Sequence, residues 1–369
     1  MFTENFTLKF ADQEIPEVYA DILALEVELD EELAGMLRLR LNVGQSDGGF
    51  SYVDDDRIRL WTRVQVDAGF DGDTDPLFSG YITHIRPAFA APPQKTSLEI
   101  WAIDNSVILD REEILKAWPA KKDSDIASEI LTGHGFTASI GDQVEDTGVV
   151  HDEAVSTIIQ RETDMRFLKR LALRNGFECY VDGDEAFFRS PQVDGEAQPL
   201  LDVDSGSLTR FSLEVNALVP AQVGVFQVDR ANKEILNANA VTSDLRALGA
   251  QDAAASLAGD VPAGKVFLGP GVATGSEELA TLCQGLFRRG EWFVFGEGEV
   301  SANNYGHVLK PRAPVTIQGM GELYSGIYYV THVLHGFNTQ GYVQSFRVKR
   351  NGLMPTGEEG FPGGGLEFP

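Results

Sequence analysis

The sequence contains few cysteines, few basic residues and no long apolar run, and each scarcity excludes a class of protein. Cys179 and Cys283 are the only cysteines among 369 residues, so a disulfide framework or a cysteine-rich zinc site is excluded. Lys and Arg number 30 against 56 Asp and Glu, and the formal charge of -26 disfavours specific binding of nucleic acid or anionic lipid. No window approaches the length of a membrane span, and the N-terminus carries no signal-peptide pattern. We therefore expect a soluble globular protein of the cytoplasm.

One short strand pattern occurs twice in the chain. The segment from Tyr81 to Ile85 reads Tyr-Ile-Thr-His-Ile, and the segment from Tyr329 to Val333 reads Tyr-Val-Thr-His-Val. Such residues favour strands. Each copy has a similar apolar strand before it, at Val64 and Val66 for the first copy and at Val315 and Ile317 for the second. Each also has an apolar strand after it, at Leu98 to Trp101 and at Phe346 to Val348. The repeat predicts that the same small antiparallel barrel is built twice.

The remaining patterns divide the chain into four parts. Alternating apolar residues predict a first tube-like β-barrel over 1–110, with a strand at Ile58 to Leu60 and with Glu26 and Glu28 across from Arg38 and Arg40. Helical patterns predict an α+β insertion over 111–204, a second β-barrel with a helix and loop insertion over 205–350, and a Gly/Pro-rich tail over 351–369. The fold class is α+β, mainly β, with two similar antiparallel tube-like β-barrels.

Three helices are predicted inside these parts by their caps and apolar stripes. Ser124 and Thr163 are the predicted caps of two helices in the α+β insertion, which end at Gly133 and Gly176, and Ser276 is the predicted cap of a third. Residues 237–258 are Ala-rich and aperiodic, which predicts a mobile loop or a frayed helix. We expect residues 356–369 to be disordered or docked on a partner.

Several motifs resemble chemical sites, but the residues around them favour structural roles. Gly44, Ser46 and Gly48 match Gly-x-Ser-x-Gly, yet no helix pattern follows, so a hairpin loop is expected. Asp71, Asp73 and Asp75 begin like a calcium loop, but glycine and glutamate are missing at the required later positions. The glycines at 269, 271 and 275 before Ser276 lack the lysine of a phosphate loop.

The histidines and arginines give no catalytic pattern either. His332 and His335 would face opposite sides of a strand and could not easily share a metal, and His84 and His332 are expected to pack or hydrogen-bond within each barrel. The arginine-rich helix within 161–174 is either a solvated face or a protein-docking stripe. We therefore predict no catalytic, cofactor-binding or metal-binding residue.

The segment from Arg161 to Phe177 also carries a family resemblance. Arg161-Glu162-Thr163-Asp164, followed by Phe167 to Leu171 and by Asn175-Gly176-Phe177, is similar to the R-E-x-D-x-x-F-L-x-R-L…G signature of late control protein D of phages and of the type VI secretion spike (VgrG) proteins. Leu77 to Ile82 resembles the F-x-G-x-[IV] strand of that family, and Gly326 to Arg350 resembles its closing strands. The three motifs occur in the family's order and span nearly the whole chain.

The resemblance implies the baseplate hub of a contractile phage tail or contractile injection system, without enzymatic activity. In such a hub a homotrimer contributes two barrels per chain to a pseudo-sixfold ring, which adapts a trimeric spike to a hexameric inner tube. The implied partners are the spike protein, the inner-tube or tube-initiator protein and other baseplate proteins. Spike-bearing relatives continue into further β domains, whereas this sequence stops at Pro369, which favours a separate spike chain and a phage-like particle.

Two other classes of protein remain open from the residues alone. A β-rich glycan-active hydrolase could take its carboxylates from the acidic turns. A monomeric β-rich binding module would need no partner copy at all.

Overall fold

The first part of the chain folds into strands whose apolar residues alternate as predicted. The computed structural model describes residues 2–46, 49–229, 232–257, 261, 264–268, 273–339, 341–359 and 361. Glu26 lies opposite Arg38, whose guanidinium is 3.6 Å from that carboxylate and 2.9 Å from the carboxylate of Glu99, whereas Glu28 lies opposite Met36 instead of Arg40. The six main strands are β1 (Glu4–Phe10), β2 (Ile22–Asp30), β3 (Met36–Asn42), β4 (Arg63–Phe70), β5 (Asp73–Ala88) and β6 (Ser97–Asp104).

The α+β insertion follows with its own apolar core. Trp118, Phe167 and Phe188 lie at the centre of that core and are almost fully buried. The elements are β7 (Glu113–Trp118), α1 (Asp123–Gly133), β8 (Ile158–Thr163), α2 (Asp164–Asn175), β9 (Glu178–Asp182) and β10 (Glu185–Arg189). Helix α2 has Thr163 at its N-cap position and ends at Gly176, whose φ of 67° lies in the left-handed region that glycine tolerates.

A second set of strands and a second insertion complete the chain. The strands of the set are β11 (Gln198–Asp202) and β12 (Leu208–Val215), and, after the insertion, β16 (Val294–Ser301), β17 (Pro314–Gln318), β18 (Gly326–Asn338) and β19 (Gly341–Arg350). The insertion between them contains β13 (Pro220–Asp229), β14 (Glu234–Ala240), β15 (Gly264–Leu268) and α3 (Ser276–Gly290). Helix α3 packs its apolar stripe, including Leu279, Cys283 and Phe287, on the three-stranded sheet.

Several local predictions were wrong. Residues 58–60 form turns instead of a strand. The segment predicted as a loop or frayed helix over 237–258 begins instead with the end of β14, while 241–250 has no regular structure and is followed by the short strand Gln251–Asp252 and the helix Ala253–Ser256. Ser124 is not the cap of α1: the N-cap is Lys122, and Ser124 lies in the first turn that follows it. Ser276 likewise starts α3, whose N-cap is Gly275. The remaining short elements are strands Gln13–Glu14, Gln45–Ser46, Gly49–Phe50 and Gly352–Leu353, α-helices Val18–Asp21, Ala302–Tyr305 and Gly321–Tyr324, and 3-10 helices Pro93–Lys95 and Asn105–Asp110.

The two strand sets have the same order. Neighbouring strands run β1-β4-β5-β6-β3-β2 in the first set and β11-β17-β18-β19-β16-β12 in the second. If the six strands of each set are numbered in chain order, both paths read 1-4-5-6-3-2. A β-bulge interrupts the pairing between Ile82 and His84 in one set and between Val330 and His332 in the other. These positions coincide in the repeated sequence pattern. The sets differ in one pair, since β1 and β4 are antiparallel whereas β11 and β17 are parallel.

The strands of the two sets form one continuous sheet and not two separately closed barrels. Strand β2 of the first set pairs with β18 of the second set, so the sets share a 13-stranded sheet. Each set still encloses an apolar core of its own. Phe337 and Tyr342, at the tip of the β18–β19 hairpin, pack against Phe6 and Phe70 of the first set. The predicted mainly β, α+β class is confirmed, but strand pairing closes neither set within the described part of the chain.

Candidate functional site

The motifs with possible chemistry lie in turns and caps. Gln45–Ser46 pairs with Gly49–Phe50 as a hairpin, so the serine motif has strands on both sides instead of the helix of a nucleophile elbow; Asp47 and Gly48 lie outside the described residues. Asp71 begins the tight β4–β5 turn and accepts a hydrogen bond from the Thr3 N–H at 2.9 Å. No cluster of metal-binding side chains occurs among the residues that the structure describes.

The N-terminus of α3 is already occupied by a side chain of the protein. Gly269 and Gly271 of the predicted glycine run lie outside the described residues. The Glu278 carboxylate accepts hydrogen bonds from the N–H and the hydroxyl of Thr274, both at 2.7 Å. The Glu278 carboxylate therefore already places a negative charge in the first turn of α3, where an external anion would otherwise be favoured.

The arginine-rich helix α2 is engaged in contacts within the chain. Arg170 reaches Glu162 at 2.7 Å, and Arg166 lies 3.8 Å from Asp110. Lys169 donates to the backbone of Glu32, whose carboxylate also lies 2.7 Å from Arg289 at the end of α3. Lys169 of α2 and Arg289 of α3 therefore hold the two insertions against the β2–β3 turn.

A buried charge cluster joins the two insertions. His151 lies 3.0 Å from Asp123 at the start of α1 and 3.3 Å from Glu278 in the first turn of α3. Arg174 of α2 is 2.7 Å from Asp123 and 3.2 Å from Glu278. Burial opposes charge on Glu278, but the hydrogen bonds from His151 and Thr274 outweigh it and lower the pKa of that carboxyl to about 2. The cluster therefore consists of paired charges that fix the two insertions together.

A cleft of about 550 Å³ lies where the first insertion meets both strand sets. Its lining includes apolar groups of Phe177 and Trp292, and the charged groups of Glu31, Glu178 and Lys349. Lys349 pairs with Glu31 at 2.5 Å and lies 4.6 Å from the ring centre of Trp292. Burial raises the pKa of Glu178 to about 7, so this carboxyl takes up or releases a proton near neutrality.

Tyr329 of the repeated pattern contacts Glu178, which lines this cleft. Its hydroxyl lies 3.0 Å from both carboxylate oxygens of Glu178. Nothing in the sequence indicated this contact, because Tyr329 and Glu178 are far apart along the chain and no local motif links them. The same holds for His151, which no sequence pattern singled out.

The junction of the two strand sets is a second polar feature. Across β2 and β18, the Nε2 atom of His332 lies 2.9 Å from the Glu28 carboxylate. The sequence predicted partners within each barrel, so this contact between the sets corrects that prediction for His332. His335 on the same strand is fully buried and bonds the Tyr342 hydroxyl at 2.7 Å through Nδ1. His84, the counterpart of His332, is exposed and contacts the neighbouring Thr83 hydroxyl.

The fold is similar to that of phage tail and type VI secretion proteins. The 43 kDa tail protein of prophage MuSo2 from Shewanella oneidensis is 13% identical with a TM-score of 0.66, over 95% of this chain and 99% of that one. A tail protein from Neisseria meningitidis MC58 is 11% identical with a TM-score of 0.66, over 94% and 97%. The Francisella PdpA-VgrG complex in its half-lidded form is 9% identical with a TM-score of 0.55, over 95% of this chain and 58% of that chain.

These neighbours confirm the resemblance to phage tail and VgrG-like proteins at the level of fold. No helix among the described residues is long and apolar enough to cross a membrane. No curated protein matches the sequence. Residues 3–339 match the family model described as Alg8 N-terminal domain, which covers most of the chain. The chain therefore belongs to the Alg8 N-terminal domain family.

Proposed function

We propose that this chain is a structural hub protein of a contractile tail or injection particle, without enzymatic activity. Three copies form a ring with pseudo-sixfold symmetry, and the ring connects a trimeric spike to a hexameric inner tube. The partners of the ring are the spike protein, the inner-tube or tube-initiator protein and other baseplate proteins. The chain is made in the cytoplasm of the producing cell and is then built into the particle.

The observation that carries the proposal is the doubled strand order. Both sets follow the same path of six strands, and the matched bulges after Ile82 and Val330 make the copies equivalent in detail. One chain thus supplies two similar walls, and three chains in a closed cyclic arrangement supply six. We take the first strand set, within 1–110, and the second, formed by β11 and by strands within 205–350, as two tube-like walls. The α+β insertion of 111–204, apart from β11, lies outside the walls, and 351–369 is a tail.

The mass in solution tests the hub. Size-exclusion chromatography with light scattering is expected to give three times the 40.3 kDa chain mass. Negative-stain images of the same peak are expected to show a ring with a central channel. A monomer at every concentration tested, with no ring in the images, would contradict the proposal.

The cleft at Glu178 supports a second candidate, a glycan-active hydrolase. The buried carboxyl of Glu178 and the partly buried carboxyl of Glu31 line the cleft together with an aromatic side chain, and the pKa of Glu178 is raised to about 7, as a general acid requires. Against this role, Glu31 is paired with Lys349 and Glu178 with Tyr329. Release of sugars from a cell-wall or polysaccharide substrate, lost in Glu178→Gln, would favour the hydrolase over the hub.

A further inference from the structure

We propose that neighbouring copies join by strand addition, with β12 of one copy pairing along the free edge of β5 in the next. The inference rests on the ring proposed above and specifies the surface by which its copies meet. It follows from a contact that the chain already makes within itself. In that contact the second strand of one set, β2, pairs with the fifth strand of the other set, β18.

The internal contact provides the template. Strand β17 pairs with the first part of β18, and β2 takes over beyond the bulge, where Val333 lies opposite Leu29. The Glu31 N–H donates to the Thr331 carbonyl at 2.8 Å, which fixes the start of this ladder. The His332 ring then contacts the Glu28 carboxylate at 2.9 Å. The contact therefore combines backbone pairing with one polar side-chain pair.

The matching edges in the other half of the molecule have no strand on them within the described residues. Strand β4 pairs with β5 as far as Tyr81, and Trp61 and Thr62 continue the backbone bonds to Ile82. Beyond Ile82, β5 has β6 on one side alone. Strand β12 pairs only with β16. The Asn216 N–H donates to the Phe293 carbonyl at 2.7 Å on the β16 side. Because successive residues of a strand point their backbone groups to opposite sides, the N–H and C=O of Val215 face the free edge.

The doubled strand order gives the register between copies. Ile85 lies opposite Ile100 just after the first bulge, as Val333 lies opposite Phe346 just after the second, so Ile85 is the equivalent of Val333. The same matching can be continued from β6 to β3 to β2 in the first set and from β19 to β16 to β12 in the second. It makes Val215 the equivalent of Leu29. Ile85 of one copy is thus paired with Val215 of the next.

The side chains at these positions are complementary. The register places His84 beside Glu214 of the next copy, as His332 lies beside Glu28 within the chain, and places Arg86 directly opposite Glu214. All three side chains are exposed, and Val215 is 39% exposed. Pro87 has no N–H, so the ladder lacks one bond there.

A second copy is the occupant that this geometry favours. Strands β12 and β5 are separated by the rest of the sheet in one chain, so their edges cannot meet within it. A contact between two different surfaces of identical copies runs head to tail and closes into a ring when its rotation allows. Arg86 on the β5 edge and Glu214 on the β12 edge carry opposite charges, which favours this contact despite the net charge of -26.

Disulfide trapping in the full chain tests the register. Arg86 and Glu214 occupy the places that Leu334 and Glu28 occupy in the internal contact. A mixture of R86C chains and E214C chains is therefore expected to give a covalent dimer under mild oxidation. The yield should be about tenfold higher than for A88C mixed with E214C. The variant carrying both R86C and E214C is expected to give a covalent closed oligomer. The variant with L334C and E28C is the matched control, since its disulfide forms within one chain. Cys179 and Cys283 are buried and give no background.

The outcomes separate the inference from the function. An oligomer in light scattering that gives no R86C–E214C cross-link, while the L334C–E28C control closes, overturns the inference and leaves the hub intact. Cross-linking of A88C that equals that of R86C overturns the register. A chain that stays monomeric and gives no cross-link overturns both proposals.

Discussion

At the scale of single residues, Glu178 connects the first insertion to the second strand set at a cost in free energy. Burial raises its pKa to about 7; the charge of Lys349 acts in the opposite direction and that of Glu31 in the same direction. In the unfolded chain the carboxyl titrates near 4.5. The folded state therefore disfavours the ionised form, so the destabilisation by Glu178 is absent below pH 4.5, grows as the pH rises to about 7 and is constant above it.

The substitution Glu178→Gln removes this cost, because the amide stays neutral and still accepts a hydrogen bond from Tyr329. We expect the free energy of unfolding at pH 8 to increase by up to about 3 kcal/mol, and the gain to shrink by about half at pH 5.5. Chemical denaturation at the two pH values measures both. Tyr329→Phe is the contrasting variant, since it removes a donor to the carboxylate and should lower stability at pH 8. A loss of stability in Glu178→Gln at pH 8 would show that the ionised form is the favoured one.

At the scale of elements, the two insertions meet where helices α2 and α3 approach closely. A Cβ atom on Gly285 would lie 2.6 Å from the Arg174 carbonyl oxygen, and one on Gly176 would lie 2.8 Å from the Gly285 Cα. Real side chains cannot approach backbone this closely, so both glycines are required by packing. The contact positions the charge cluster of His151 and Glu278 between the same helices.

Gly285→Ala is expected to push α3 away from α2 and to lower the free energy of unfolding by about 1–3 kcal/mol. Hydrogen exchange should then rise at the facing ends of the two helices while the main sheet keeps its protection. Gly133→Ala is the matched control, because that helical position has no atom within 4 Å of the added Cβ and should be neutral or slightly stabilised. Equal effects of the two substitutions would argue against a close helix contact.

The elements themselves were predictable where one physical signal dominated. Strands β17 and β19 lie where the sequence predicted them, because alternating buried residues such as Phe346 and Val348 determine them. Helix starts were less predictable, since Asp125 accepts from the Lys122 N–H and displaces the cap from Ser124. The segment near Ile58 is apolar enough for a strand, but left-handed residues at Tyr52 and Trp61 turn the chain there. The charge cluster and the Glu178 cleft depend on contacts between distant segments, which local patterns do not encode.

At the scale of the whole molecule, the five-residue repeat indicated a duplication, but not how the copies join. Separate barrels were the simplest expectation from two similar sets of strands. The structure instead continues the sheet from β2 to β18, because β18 extends past the end of β17 and leaves an edge that β2 covers. The sheet alternates charges along this path, as in Glu26, Arg38 and Glu99, so the excess of acidic groups is not concentrated on these central strands.

Association of copies therefore has to overcome repulsion between whole molecules of charge -26. Raising the salt concentration from 0.01 M to 0.1 M shortens the screening length from about 30 Å to about 10 Å, which weakens this repulsion more than it weakens a short contact such as that of His84 with Glu214. We expect the oligomer to become more populated across this range in sedimentation velocity at fixed protein concentration. Sucrose at matched osmolality is the control, because it leaves the screening length unchanged. Dissociation by salt would instead mean that charge pairs between copies dominate the interface, and that backbone pairing along β5 contributes little.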